Sequence, residues 1–243
     1  MDPATGLPAP RIPSPTRDRS LSLVAGLLFL LTFVSAIAGA QLYVPLLTEP
    51  GYVTSTASDN GPLLGVVCEL VLIAANIGTA LALFPILRER FPALSMGYVA
   101  ARLTECGFIA VGILAVLTVV ALHRSPGGRA ASGTAAAFIA LHDATFLLGP
   151  GFVVGLGNGL LLGWMAYRSG LMPRWLTLFG LIGGPLMSLS GIAVLFGLYG
   201  QSSPVSAALT IPEIVWEAGL GLVLTVRGLR RRAVRDAHIE RLI

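Results

Sequence analysis

The sequence is poor in charge. Only 12% of its residues are charged, whereas 55% are hydrophobic and the mean hydropathy is +0.82. A water-soluble domain of 243 residues needs far more polar surface than this composition supplies. The composition therefore excludes an ordinary soluble protein. It predicts an all-α fold, a polytopic membrane helix bundle.

Cysteine is nearly absent. The two cysteines, Cys68 and Cys106, lie in apolar runs on different segments and form no CxxC pair. We interpret both as small buried hydrophobic residues, so the sequence predicts neither a disulfide nor a cysteine-based metal site. An HExxH motif is also missing. The sequence leaves metal binding undetermined and predicts no cofactor.

Lysine is missing altogether, and the pI near 9.6 comes entirely from arginine. In a membrane protein, an excess of arginine reports which side of the bilayer a segment faces before it reports nucleic-acid binding. We therefore predict no nucleic-acid partner. The placement of the arginines becomes the topological signal.

Six apolar runs are long enough to cross the roughly 30 Å hydrocarbon layer as helices. They cover about residues 21–40, 63–87, 95–122, 134–167, 175–199 and 205–228. We predict a six-span membrane domain at 21–228, after a disordered proline-rich tail at 1–20 and before a basic tail at 229–243. The lipid bilayer is the expected partner, with anionic lipid a further one for the basic tail. The sequence identifies no protein partner.

The first span has a competing interpretation as a secretory signal peptide. Ala38, Gly39 and Ala40 resemble a small-residue cleavage site. However, the apolar run is longer than the roughly 7–15 residues of a signal-peptide core. Its length favours a retained membrane span.

Arginine placement predicts the orientation. Six spans put both tails on one side, and the tails, with Arg227 counted in the second one, hold 13 arginines together with the turns at 88–90 and 168–174, against only Arg124 and Arg129 on the other face. By the positive-inside rule, both termini are cytoplasmic. We therefore expect a multi-pass protein of the cytoplasmic (cell) membrane.

Several long strings carry a family resemblance. In chain order they are CELVLIAANIGTALALFPILRER, GYVAARLTE, LHDATFLLGPGFVVGLGNGLLLGWMAYRSGLMPR, GLIGGPLMSLSGIAVLFG and IPEIVWEAGLGLVL. Together they resemble the bacterial multi-pass membrane family of domain of unknown function 4386, over nearly the whole chain after residue 20. The resemblance implies a membrane fold and brings no activity with it.

Polar side chains inside apolar spans are costly and are therefore the first places to look for function. The spans carry nine such residues: Glu69, Asn76, Arg102, Glu105, His142, Asp143, Asn158, Glu213 and Glu217. Counted from the predicted span ends, Glu69, the His142–Asp143 pair and Glu213 lie in the extracytoplasmic half. Arg102 and Glu105 lie in the cytoplasmic half.

Two pairs of these residues have helical spacing. Arg102 and Glu105 are three residues apart, which permits a structural ion pair and would let the arginine reach toward the cytoplasmic interface. Glu213 and Glu217 are four apart, so their carboxyl groups are neighbours that need a shared proton, a basic partner or a metal ion. A shorter span beginning at Pro212 would instead put both glutamates at the wet outer interface. The sequence does not decide between these alternatives.

The acidic residues outnumber the basic ones inside the spans. Five acids face one arginine and one histidine, so full ionisation would leave four uncompensated negative charges. Protonated carboxyls, a bound cation or a water-filled cavity would remove this imbalance. The candidate residues for binding a substrate or cation are Glu69, His142, Asp143, Asn158, Glu213 and Glu217.

This excess of acid favours a transport protein, or a membrane protein linked to protons or cations. A non-catalytic accessory or structural membrane protein is the alternative. A membrane-embedded enzyme acting on lipid-like molecules ranks third, because the sequence offers no assembly of nucleophile, base and orienting partner. No catalytic residue is predicted.

Small residues recur every four positions in spans four and five, at Gly151, Gly155, Gly159 and Gly163 and at Gly180, Gly184 and Ser188. Such rows let two helix backbones approach closely, so spans four and five are expected to pack as a hairpin that turns at Gly170. Span four is too long for a straight crossing. It must tilt, kink at Pro150 or project beyond the membrane.

Overall fold

The computed structural model describes residues 15–49, 51–125 and 131–229, and within these ranges it contains six long helices and no β-strand. They are α1 (Pro15–Thr48), α2 (Asn60–Leu87), α3 (Pro92–Arg124), α4 (Ser132–Ser169), α5 (Arg174–Leu195) and α6 (Pro204–Val226). Each is long and apolar enough to span a membrane. The predicted all-α, six-span architecture is confirmed. The predicted tails lie outside the described residues, except that residues 15–20 form the first turns of α1 and residue 229 follows α6.

Helix α1 is longer than the predicted span, which ended at residue 40. It continues through Pro45 to Thr48, and the described part of the connection to α2, residue 49 and residues 51–59, contains a short 3₁₀ turn, Tyr52–Thr54. Pro45 lacks the N–H that a helix interior uses. Burial of Tyr43 and Leu46, which are 1% and 0% exposed, offsets that loss.

The middle of α4 is not regular α-helix. Ser132–Leu148 and Gly163–Ser169 are α-helical, whereas Gly149–Val153 and Gly155–Leu162 between them are π-helical. Pro150 cannot donate a backbone hydrogen bond to the preceding turn, and the neighbouring glycines allow the wider turn. The irregularity predicted at Pro150 therefore takes the form of π-helical turns.

Helices α4 and α5 form the predicted close hairpin. Gly170 ends α4 with a φ of +65°, the left-handed conformation that favours glycine. A methyl group added at Gly155 would lie 2.5 Å from the backbone carbonyl oxygen of Gly184, and one added at Gly159 would meet the Cα of the same residue. Only glycine permits this approach of the two backbones.

The end of α5 and the start of α6 differ from prediction. Helix α5 ends at Leu195 rather than near residue 199, and a turn with Gly197 at φ +72° follows. Helix α6 begins at Pro204, where the Ser203 side chain accepts a hydrogen bond from the Ser206 backbone N–H at 3.2 Å. Pro212 lies inside this helix. The alternative of a shorter span beginning at Pro212 is therefore wrong.

The helices pack as an antiparallel bundle. Helix α1 lies along α2 and α6, α3 lies between α2 and α4, and α5 packs against α4 and α6. The guanidinium of Arg19 donates a hydrogen bond to the carbonyl of Val226 at 3.0 Å. The start of α1 and the end of α6 are thus in contact, so the first and the last helix begin and end, respectively, on the same side of the bundle. Their cytoplasmic location stays a prediction.

Large apolar side chains cover the outside of the bundle. Val34, Leu81 and Leu114 are between 62% and 66% exposed, although they belong to three different helices. Such a surface is unfavourable in water and suits hydrocarbon. The protein is a multi-pass membrane protein whose helices contact the lipid bilayer.

Candidate functional site

A cavity of about 750 Å³ lies inside the bundle and is lined by residues from all six helices. Most of its wall is apolar, but polar and ionisable side chains also line it: Tyr43, Glu69, Asn76, Arg102, Glu105, His142, Asp143 and Glu217. At one end the lining includes Leu47 near the end of α1 and residues Gln201 and Ser202 of the connection between α5 and α6. The cavity therefore extends from this end of the bundle into its interior.

The inner part of the cavity carries a closed polar network. Arg102 donates to Glu105 at 2.8 Å and to the side-chain oxygen of Asn76 at 2.9 Å, and Asn76 in turn donates to Glu105 at 2.9 Å. Arg102 is only 2% exposed, and its guanidinium lies 5.7 Å from the ring centre of Phe29. The spacing-based ion pair is present. The expectation that the arginine extends to the interface is wrong, because Asn76 and Glu105 hold it inside.

The part of the cavity nearer the α5–α6 connection carries a second polar group. The hydroxyl of Tyr43 donates to Glu69 at 2.9 Å, and the Tyr43 ring packs edge-on against His142 with 5.5 Å between ring centres. The Nδ1 atom of His142 lies 3.7 Å from the Asp143 carboxylate, beyond hydrogen-bond distance. Asp143 itself is 64% exposed. Sequence reasoning did not predict Tyr43 as part of this group.

Glu217 lines the cavity on α6 and is held from behind by Asn158. The side-chain amide of Asn158 donates to Glu217, and the backbone carbonyl of Asn158 accepts a hydrogen bond from the indole of Trp216 at 2.9 Å. Asn158 is fully buried in the π-helical part of α4. It contributes to the cavity through Glu217 rather than by lining it.

Glu213 lies one helical turn from Glu217 but does not line the cavity. It is 2% exposed, and a methyl group added at Gly159 would lie 2.6 Å from its Oε2 atom. Within the described part of the chain, neither carboxyl oxygen has a hydrogen-bond donor. No donor there stabilises a negative charge on Glu213, whose side chain packs against the glycine row of α4.

The six-helix domain matches a known protein family. The family model described as a domain of unknown function (DUF4386) matches residues 24–228, which include every residue that lines the cavity. This chain belongs to the DUF4386 family. The resemblance noted in the sequence is thereby confirmed. Neither the curated proteins nor the solved structures give a significant match to this chain.

The DUF4386 domain brings together three of the four carboxyl groups that were candidates for a shared site. Glu69, Asp143 and Glu217 line one cavity with His142, whereas Glu213 lies behind its wall. The Arg102–Glu105 pair joins the same cavity at greater depth, and Asn76 completes its network. The sequence signal for Asn76 was its position in an apolar span, but no pattern indicated its partners.

Metal-binding side chains do not cluster in the described ranges of the DUF4386 domain. No three histidine, cysteine, aspartate or glutamate residues there are arranged so that they could hold one metal ion. Cys68 and Cys106 are free thiols, and Cys106 is buried. The polar groups of the cavity are suited to hydrogen bonding, proton binding and charge pairing.

A second polar cluster, outside the cavity, ties the start of α2 to the end of α3. Asp59 accepts hydrogen bonds from Tyr52 at 2.8 Å, from His123 at 2.7 Å and from Arg124 at 2.7 Å. The other ring nitrogen of His123 lies 3.0 Å from the carbonyl oxygen of Ser55. Both ring nitrogens thus face oxygen acceptors, which requires the doubly protonated imidazolium.

This cluster sets the protonation of Asp59. Burial alone would raise the pKa of its carboxyl group, but the hydrogen bonds from Arg124, His123 and Tyr52 outweigh burial and lower the pKa below its ordinary value. Asp59 and its three partners act as a clamp on the α2–α3 end. The sequence carried only a weak signal for it, a charged His123–Arg124 pair at the end of a span.

Proposed function

We propose that this protein is a transport protein that exchanges a cation for protons across the cytoplasmic membrane of a cell. The observation that carries the proposal is the cavity: four carboxyl groups line it against one guanidinium. If all four were ionised and His142 neutral, three negative charges would remain uncompensated inside a membrane domain. A bound cation, or protons that take its place, would supply the missing positive charge.

The Glu213–Glu217 pair supports the proton-linked part of the proposal. Glu217 faces the cavity, while Glu213 lies one turn away behind the wall, with no hydrogen-bond partner among the described residues. Two carboxyl groups one helical turn apart bind and release protons as a coupled pair rather than independently. A cation at Glu217 would therefore change how the pair shares its protons.

The cavity shape supports transport over simple binding. One end reaches Leu47, Gln201 and Ser202, and the other is closed by the Asn76–Arg102–Glu105 network. A carrier that gives access to one side at a time has this arrangement, in which a site is open at one end and sealed at the other. A structural or accessory role is the second candidate, favoured by the Asn76–Arg102–Glu105 triangle, in which each side chain is hydrogen-bonded to the other two.

Proton flux in reconstituted liposomes tests the proposal. The full-length protein is reconstituted into liposomes that contain a pH-sensitive dye. Sodium, potassium, manganese or ethidium is then added to the outside. We expect at least one of these cations to drive proton release that empty liposomes lack, and Glu217→Gln to abolish it. Glu49→Gln is the matched control, because Glu49 follows α1 and does not line the cavity. Traces equal to those of empty liposomes for every cation would overturn the proposal.

Cysteine labelling tests the proposed orientation. In a Cys68→Ala/Cys106→Ala background, Thr56→Cys lies in the connection between α1 and α2 and Arg90→Cys in the turn between α2 and α3, both at exposed positions. We expect an impermeant maleimide to label position 56 in intact cells and position 90 only after permeabilisation. The same orientation would place the basic tail, residues 229–243, beside the anionic inner leaflet. If position 90 were labelled in intact cells and position 56 only after permeabilisation, the orientation would be the opposite of the proposed one.

A further inference from the structure

The cavity has the dimensions of an organic ligand site. Its volume of about 750 Å³ falls within the range of roughly 300–1,000 Å³ that is typical for sites of drug-sized molecules. A bare metal or alkali ion would fill only a small part of it. The apolar share of the lining includes two phenylalanines, Phe33 on α1 and Phe146 on α4. Aromatic rings in such a wall bind apolar groups and attract cations.

The internal pairing of charges determines which ligand charge the cavity favours. The charges of Arg102 and Glu105 cancel within their own network, in contact at 2.8 Å. Glu69 receives one donor from Tyr43, and Glu217 receives one from Asn158. Neither donor carries a charge. When they are ionised, these two carboxylates and the Asp143 carboxylate, which lies 3.7 Å from the His142 ring, give the wall more negative than positive charge.

His142 provides an independent indication of a ligand. Its side chain is 9% exposed and lines the cavity, and within the described residues its Nδ1 atom has no hydrogen-bond partner. A buried ring nitrogen without a partner is unfavourable unless something in the cavity bonds to it. A neutral imidazole would accept a hydrogen bond from the N–H of a protonated amine. This atom is separate from the carboxyl groups that set the charge.

Three residues that line the cavity, on three different helices, are much more exposed than a sealed wall would leave them. They are Ile37, Phe146 and Ile214, which are 60%, 47% and 47% exposed. At about 1.5 Å per residue, these three lie roughly 15–21 Å along their helices from the ends near Thr48, Ser132 and Pro204. That depth corresponds to the hydrocarbon layer, about 30 Å thick. A partly exposed wall at this depth suits a ligand that comes from the bilayer.

We propose that the cavity binds an amphipathic organic cation, an apolar body bearing one ammonium or similar positive group, which enters from the bilayer between α1 and α4. The proposal rests on the proposed function, in which the exchanged species is a cation, and it specifies the chemical class. The apolar body packs against Phe33, Phe146 and the neighbouring aliphatic side chains. The positive group lies between Glu69 and Glu217, and an N–H of an amine ligand reaches His142.

Two ions of nearly the same shape and opposite charge test this class. Radiolabelled tetraphenylphosphonium and tetraphenylborate would be equilibrated by dialysis with the purified full-length protein in detergent, and binding to empty micelles subtracted. We expect the wild-type protein to bind the phosphonium at least about tenfold more tightly, equivalent to about 1.4 kcal/mol. This comparison needs no variant and so does not depend on how a variant folds. Equal binding of the two ions overturns the proposal.

Single substitutions then locate the bound charge. Glu69→Gln and Glu217→Gln should each weaken phosphonium binding about tenfold while leaving borate binding unchanged or improved, and Glu49→Gln should change neither. Phosphonium binding that both cavity variants retain would overturn the assignment to this cavity. The liposome assay separates the two proposals. Cation-driven proton flux without phosphonium binding overturns only the ligand class, whereas phosphonium binding without flux overturns only transport.

Discussion

The side-chain amide of Asn158 donates a hydrogen bond to the carboxylate of Glu217, across the contact between the π-helical part of α4 and helix α6. This contact fixes the cavity-facing carboxyl group to a fully buried residue. It also links the irregular backbone of α4 to the charge of the cavity, because the Asn158 carbonyl is bonded to Trp216 next to Glu217.

We predict that Asn158→Ala destabilises the protein by about 1–3 kcal/mol, since the part-buried Glu217 carboxyl group loses its hydrogen-bond donor. The midpoint of thermal unfolding in detergent, followed by tryptophan fluorescence, should fall by roughly 3–10 °C. Asn60→Ala is the control, because Asn60 is exposed at the start of α2. An equal fall in both variants would argue against a special role for the Asn158–Glu217 contact.

The Asp59 clamp predicts a pH dependence of stability. The pKa of Asp59 is lower in the folded protein than its ordinary value near 3.9, so folding favours the ionised form. The stabilisation is complete above the ordinary pKa and is lost as the pH falls from there through the lowered folded-state pKa. The unfolding midpoint should therefore decrease more steeply between about pH 5 and pH 3 in the wild type than in Asp59→Asn. Parallel profiles would contradict the clamp.

The buried Arg102–Glu105 pair predicts strong coupling between two substitutions. Arg102→Met leaves Glu105 buried with an uncompensated charge and should destabilise the protein by about 3–5 kcal/mol. Adding Glu105→Leu removes that charge, so the double variant should be more stable than Arg102→Met alone. Thermal unfolding of the two single variants and the double variant measures the coupling. Additive effects would show that the two charges do not depend on each other.

Because α4 and α5 are in close contact, Gly159 should tolerate substitution by alanine far less well than Gly133, which lies away from this contact. Gly159→Ala would place a methyl group against the Gly184 backbone and the Glu213 carboxyl, which should destabilise the hairpin by about 1–3 kcal/mol. Gly133→Ala is the matched control, since a methyl group there meets nothing within 4 Å. It should leave the unfolding midpoint unchanged or raise it slightly. A similar loss in both variants would argue that helix packing is not the cause.

The sequence predicted the six helices and the α4–α5 hairpin, because apolar length and glycine spacing are local signals. It also predicted that Glu213 and Glu217 are neighbours. It could not predict that Glu217 faces the cavity while Glu213 packs against Gly159, because that depends on the rotation of α6 relative to α4. Helical spacing on one chain segment does not determine this rotation.

Tyr43 escapes prediction for a different reason. Pro45 is locally a turn signal, which places Tyr43 outside the first predicted span, and tertiary burial overrides this local preference of proline. Asn76 is recognisable as a polar residue in a span, but its place in the Arg102–Glu105 network depends on the contact between α2 and α3. Contacts between helices, rather than patterns within them, build most of the cavity.

The π-helical middle of α4 has a geometric consequence for the two halves of that helix. A π-turn takes up about one residue more than an α-turn, so each such turn changes the angular phase of all later residues by about 100° relative to a continuous α-helix. His142 and Asp143 precede this region, Asn158 lies within it, and the hairpin turn comes after it. The two α-helical parts of α4 are therefore rotated relative to each other. This rotation lets one continuous helix present His142 to α1 and Asn158 to α6.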